Sequence, residues 1–179
     1  MSVEHWWQTL AGPELAQGDY LRDCIVPIMP AGVVQASDAN TVEDSTYVFE
    51  AQQFDLIIVT QSCDLENGKA RLVATCPIFS VAEYESANPT LKNHWESVRQ
   101  GRHEGLHLLA APDYPQDNRR ALVVNFRQIF SLPVEYLAAQ AEGVGERSRL
   151  RSPYLEHFSQ GFARFFMRVG LPGSIPPFK

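Results

Sequence analysis

Six consecutive residues, Thr60-Gln61-Ser62-Cys63-Asp64-Leu65, hold the densest potential chemistry in the chain. They follow the apolar run Leu56-Ile57-Ile58-Val59, and polar groups emerging from a buried strand sit at a rigid, defined place, where sites are often built. Cys63 has the chemistry of a nucleophile, but a thiol needs a base or a positive neighbour to ionise near neutral pH. His103 and His107 are the candidate bases, with Asp64 as their assistant and Gln61 as a ligand-binding amide. The same residues also read structurally, Cys63 as a small core filler and Asp64 as a turn cap.

His103-Glu104-Gly105-Leu106-His107 has two imidazoles at i and i+4. On a helix that spacing gathers a metal; on a strand the two rings share a face but lie ~13 Å apart. Gly105 and the leucines after it favour a strand. The second His also comes one residue late for the H-E-x-x-H zinc helix, so no metal is expected. Cys24, Cys63 and Cys76 are odd in number and lack CxxC spacing, which excludes a disulfide framework and a four-cysteine zinc site. No cofactor signature is present. Arg147, Arg149 and Arg151 alternate along one segment and fall on one side if it is extended. That side can grip phosphate or carboxylate with bidentate geometry, or neutralise acids elsewhere in the chain.

Acids are abundant where those arginines would need them. Residues 1–66 hold eleven Asp/Glu and one base, Arg22, whereas residues 67–179 hold fourteen Lys/Arg and ten acids. The net charge of −6 hides this polarity and disfavours nucleic acid as the partner. The whole chain, 179 residues at 45% hydrophobic and 20% charged, fits one globular domain over 1–179. No run approaches the ~20 apolar residues of a membrane helix, and the N-terminus has no signal-peptide pattern, so the expectation is a cytoplasmic protein away from membranes.

The elements that must position these groups follow from periodicity and breakers. Residues 3–10 read as a short amphipathic helix with Trp6, Trp7 and Leu10 on its apolar side, making 1–17 a helical arm. Gly18-Asp19 opens a strand, Tyr20 to Ile28, ended by Pro27 and Pro30. The small, acidic residues 35–46 read as a mobile loop. Residues 54–60 form a strand apolar on both faces, and Asn67-Gly68 turns it into an antiparallel strand over 71–79. Helical segments follow around 81–84 and 91–98, broken at Asn88-Pro89. Strands are expected at 105–111, 121–126 and 128–132, then a helix from Pro133 to about Glu142. Last comes a helix capped by Ser152 with Pro153 first, whose Leu155, Phe158, Phe162, Phe165, Phe166 and Val169 stripe docks on the sheet before Gly170 and Pro172 stop it. The pattern is α+β: a small curled antiparallel sheet or SH3-like barrel, with a C-terminal amphipathic helix packed on it.

Several segments together carry a resemblance. Gly18-Asp19, the Gln61-Ser62-Cys63-Asp64-Leu65 strand end, Val123-Val124-Asn125-Phe126, and Arg149-Leu150-Arg151-Ser152-Pro153-Tyr154 through Arg168-Val169-Gly170-Leu171-Pro172 are similar to uncharacterised bacterial proteins of this size. More distantly, Gly18-Asp19 before a strand and the later Leu56-Ile57-Ile58-Val59 resemble the SH3-like barrels of the PemK/MazF toxin family, which cleave RNA. Those toxins carry a basic, Gly-rich loop where residues 35–46 here are acidic and lack Arg. Three functions remain in view. The leading one is a bacterial protein-interaction or accessory module. The others are a Cys63-dependent enzyme and an RNA-acting barrel gripping phosphates with Arg147, Arg149 and Arg151. The oligomeric state is left open.

Overall fold

The computed structural model describes residues 5–29, 49–113 and 120–167. The expected acidic loop at 35–46 and the helix stop at Gly170 and Pro172 lie outside them. Eight strands and five α-helices occur among the described residues. The strands are β1 (Trp7–Ala11), β2 (Asp19–Ile28), β3 (Glu50–Ile58), β4 (Leu72–Ser80), β5 (Leu106–Leu109), β6 (Leu122–Asn125), β7 (Phe130–Pro133) and β8 (Glu146–Leu150). The helices are α1 (Ser62–Glu66), α2 (Val81–Ala87), α3 (Trp95–Arg99), α4 (Val134–Gly143) and α5 (Tyr154–Phe166). Every strand pair is antiparallel, in the order β1-β8-β2-β3-β4-β6-β5, with β7 also on β4.

The centre of the sheet shows why the run after Phe54 is apolar without alternation. Leu56 and Ile58 turn to one face, among Leu21, Cys24, Val73, Leu132 and Leu137. Ile57 and Val59 turn to the other, among Tyr20, Cys76, Ile78, Leu122 and Phe158. A strand with a period of two and a covered layer on each side needs apolar residues at every position. α4 covers the first face through Leu137 and Ala141, and α5 covers the second through Phe158.

Pro77 sits within β4, where a missing N–H would normally break a ladder. β7 pairs with β4 as far as Thr75 and β6 begins at Ile78, so the proline falls in the gap between them.

The sheet curls rather than closing. β1 and β5 end the strand order and do not pair, yet the Trp7 indole N–H donates to Ala110 O at 2.7 Å, drawing the two ends together. The fold is therefore α+β on a curled antiparallel sheet with the C-terminal helix against it. α5 seats Phe158 completely, and Leu155, Phe162 and Phe165 pack beside it. Phe166 leaves the stripe and stays 56% exposed.

Two local expectations are corrected. Residues 7–11 form strand β1 instead of a helical arm. So short a helix is marginal by itself, whereas the edge of β8 offers a ladder from Trp7↔Leu150 to Ala11↔Glu146. Alternation then sends Trp7 into the core, while Trp6 stacks on Tyr154 at 3.9 Å. β2 reaches Ile28 as expected, and it accommodates Pro27 because Pro27 lies where no neighbouring strand requires its N–H. Ser152 does not cap α5: Pro153 takes the cap position without a side-chain bond, one residue later than the sequence suggests. The turn at Asn67-Gly68 is present, with Gly68 at φ 62°, but α1 is inserted ahead of it.

Candidate functional site

Gly18-Asp19, the start of α1 and the end of β8 meet at a junction beside α5. Gly18 is its pivot: at φ +82° its Cα approaches so closely that a Cβ would lie 2.9 Å from Leu155 Cδ1 and 3.0 Å from Leu150 Cβ. Only glycine combines that conformation with that contact. Beside it, Gln17 N–H donates to Ser62 Oγ (3.1 Å), its side-chain amide donates to Val59 O (2.9 Å), and Ser159 Oγ donates to its Oε1 (3.1 Å).

Asp19 is fully buried and holds both neighbouring arginines. Its Oδ2 accepts from Ala16 N (3.1 Å), Arg147 Nε (3.1 Å) and Arg149 Nη2 (2.8 Å), and its Oδ1 accepts from Arg149 Nε. Arg147 also donates to Gly12 O (2.5 Å) and Glu14 O, and Arg149 Nη2 to Glu14 O (2.8 Å). Buried charges are tolerated when paired and hydrogen-bonded, and here both guanidiniums fasten residues 12–19 to β8. The alternation at 147 and 149 does place both arginines on one side, and that side faces Asp19. Arg151 lies beyond β8, exposed, with its backbone N–H donating to Trp6 O at 2.9 Å.

Cys63 lies exposed on α1. Its Sγ approaches Gln61 Oε1 at 3.7 Å and Asp64 Oδ1 at 4.0 Å, both acceptors. Neither imidazole is among its partners in the described residues. Asp64 uses its backbone carbonyl to accept Lys69 N–H (2.9 Å) and Ala70 N–H (3.3 Å), closing the turn after α1.

His107 is on β5 under α5, with ring centroids 5.7 Å from Phe126 and 5.8 Å from Phe158, and Gly161 leaves room for its Nδ1. Burial first, and His157 second, push its pKa down to about 4, so it is neutral at physiological pH. His103 precedes β5, and its Nδ1 is buried without a hydrogen-bond partner among the described residues. Gly105, at φ +83°, breaks the chain between the two. Groups of three or more His, Cys, Asp or Glu with metal-site geometry do not occur among the described residues.

A second feature, not apparent from the sequence, is a fork in the sheet. β2 and β3 pair from Tyr20↔Ile57 to Ile28↔Glu50, but β3 meets β4 only over Leu56–Ile58. Past that point the β2–β3 ribbon leaves the sheet. A bulge sets two residues, Arg22 and Asp23, against Asp55. It is pinned firmly: Asp23, at φ 57°, donates its N–H to Asp55 Oδ1 (2.9 Å) and accepts from the Gln53 amide (2.5 Å), while Gln140 Nε2 donates to Arg22 O (2.9 Å). Tyr20 donates its hydroxyl to Asp55 Oδ2 at 2.5 Å, and burial, then Asp55, raise its pKa above the ordinary phenol value. Asn/Asp enrichment at positive φ was the one sequence signal that could have marked Asp23.

No helix among the described residues is long and apolar enough to cross a membrane. Compared with known proteins, the chain matches no family model, no curated protein and no solved structure.

Proposed function

We propose that this protein is a protein-interaction module that receives an extended segment of its partner along the outer edge of β3. The observation that carries this reading is the outer edge of β3 beyond the fork, which pairs with no strand among the described residues. Val59 N–H donates to Ala74 O, which turns the odd-numbered residues of β3 toward β4. β4 accompanies β3 no further than Leu56, so the N–H and C=O groups of Ala51 and Gln53 face no strand among the described residues. An open edge of this kind is a template for strand addition, in which backbone bonds supply affinity.

The opposite edge of the same ribbon is protected. Ile25 N–H donates to Tyr136 Oη at 2.7 Å, and Pro27, the next residue facing that way, has no N–H. One guarded edge beside one open edge favours a specific partner over general stickiness. Four of the groups that could have served catalysis or RNA binding have other engagements. Arg147 and Arg149 are turned onto Asp19, His107 is set among phenylalanines, and Cys63 Sγ faces two acceptors.

The test is site-specific photo-cross-linking in the producing cell, with the probe at Gln53 and, for comparison, at exposed Ala139 on α4. A discrete adduct from position 53 alone, lost when Ala51→Pro removes an outward N–H, is the expected result. Identical adducts from both positions, or none from 53, would end this reading.

A further inference from the structure

We infer that the cleft beside the bulge is a binding site for a carboxylate carried on a compact apolar body. The cleft is open, about 310 Å³ in volume, and lies between β2 and the start of β6. Tyr20, Pro112 and Leu122 are among its apolar lining; Arg22, Arg120 and Asp113 supply its charge. That volume is at the small end for ligand pockets and suits one ring or one amino-acid side chain.

Arg22 is the anchor. Its backbone is fixed by the bulge, and its guanidinium lies over the Tyr20 ring at 5.5 Å. A guanidinium held against an aromatic face is oriented in advance, and its planar fork matches the geometry of a carboxylate. Its ion pair with Asp113 is long, 3.8 Å, and both side chains are more than half exposed. Such a pair contributes little and yields readily to a better-placed anion.

The neighbouring acids set the ligand's charge. Asp55 is bonded to Tyr20 and Asp23, and Asp23 to Gln53, so neither lines the cleft, but their negative fields reach it. With Asp113 on the wall as well, one negative charge is favoured over the nearly two of a phosphate. The apolar lining then rewards a body that covers it. Two sources share this chemistry: a free aromatic or aliphatic acid, and the C-terminal carboxylate of a chain ending in an apolar residue.

The probes are benzoate for the free acid and N-acetylphenylalanine for the chain terminus, with acetate and inorganic phosphate as comparisons. Each is titrated at low salt into the full-length protein, and amide and Arg Nε–H resonances are followed by NMR to about 10 mM, enough to fill a site of about 1 mM dissociation constant. Saturable shifts centred on Arg22, Ala111 and Leu122 are expected from benzoate or N-acetylphenylalanine, the tighter of the two identifying the source. Arg22→Gln should weaken binding roughly tenfold or more, the loss of one charge-assisted bidentate pair. Asp113→Asn, which removes the competing carboxylate, should tighten it several-fold. The inference is overturned if neither probe saturates, if Arg22→Gln binds as well as the wild type, or if phosphate binds as tightly as benzoate. Each of those outcomes leaves the β3-edge reading intact, because that edge is probed separately at Gln53.

Discussion

Removing the Asp19 carboxylate tests how the junction is held. In Asp19→Ala, Arg147 and Arg149 lose their shared counter-ion while Arg147 stays buried and Arg149 largely so, at 2% and 19% side-chain exposure. Breaking a buried pair by deleting one partner costs about 3–5 kcal/mol, because the remaining charge is uncompensated. The lower half of that range applies here, since both guanidiniums keep the carbonyls of Gly12 or Glu14. A loss of about 3–4 kcal/mol is a large share of the 5–15 kcal/mol typical of a domain, and corresponds to a fall in Tm of roughly 6–16 °C. Urea unfolding followed by fluorescence, with the slope unchanged and the midpoint lowered, is the measurement. The triple variant Asp19→Ala, Arg147→Met, Arg149→Met supplies the second arm. It removes the orphaned charges and should recover much of the loss, as apolar replacements of buried ion clusters commonly do. A single-variant loss below about 1 kcal/mol, the range of a surface pair, would refute the assigned role. So would a triple variant less stable than the single one.

Two further outcomes follow from burial. His107 takes up a proton at about 4 in the folded chain, against an ordinary value near 6.5, so between those values the unfolded state holds more protons. Stability should therefore be full above about pH 6.5 and fall as the pH drops toward 4, by up to about 3 kcal/mol. His107→Leu should flatten that part of the urea-midpoint profile, and an unchanged slope would show that other groups carry it. Burial pushes the Cys24 and Cys76 thiols up to about 12, with Asp55 and Asp23 adding to the rise at Cys24, while Cys63 is exposed. Alkylation of the native protein near pH 8, mapped by mass spectrometry, should modify Cys63 and spare the other two until the chain unfolds. Comparable native labelling at Cys24 or Cys76 would contradict their placement in the core.

The parts of the fold that could be read from sequence are those in which neighbours along the chain settle the outcome. The unbroken apolar run in β3 identifies a central strand, and the Leu155-Phe158-Phe162-Phe165 stripe identifies a docked helix, because each pattern admits one efficient way of burying its residues. Ser80 and Glu83 form a reciprocal cap on α2, with Glu83 N–H donating to Ser80 Oγ at 3.2 Å and Ser80 N–H to Glu83 Oε2 at 2.8 Å. Trp6-Trp7 admits two readings. Over so few residues an apolar side can be drawn on a helix or a strand, and the decision belongs to β8, more than 130 positions away along the chain.

Polar residues were harder to read for a related reason. Alternation places Arg147 and Arg149 on one side, but only the pairing of β2 with β8 shows that Asp19 lies beneath them. A buried carboxylate that is satisfied from four directions looks, in sequence, like any acid opening a strand. The candidate recognition surfaces have the opposite character. The outer edge of β3, which faces no strand among the described residues, consists of backbone groups, identical at every residue, and is set by where β4 departs rather than by which side chains are present. Arg22 is aimed by a two-against-one bulge whose pins, Asp55, Gln53 and Gln140, lie 30 or more residues away. Three of the residues whose types suggested chemistry, Arg147, Arg149 and His107, are thus drawn into holding the sheet and helix together. The surfaces proposed here for binding arise where strand pairing stops, so they are fixed by topology and carry little signature in any short stretch of sequence.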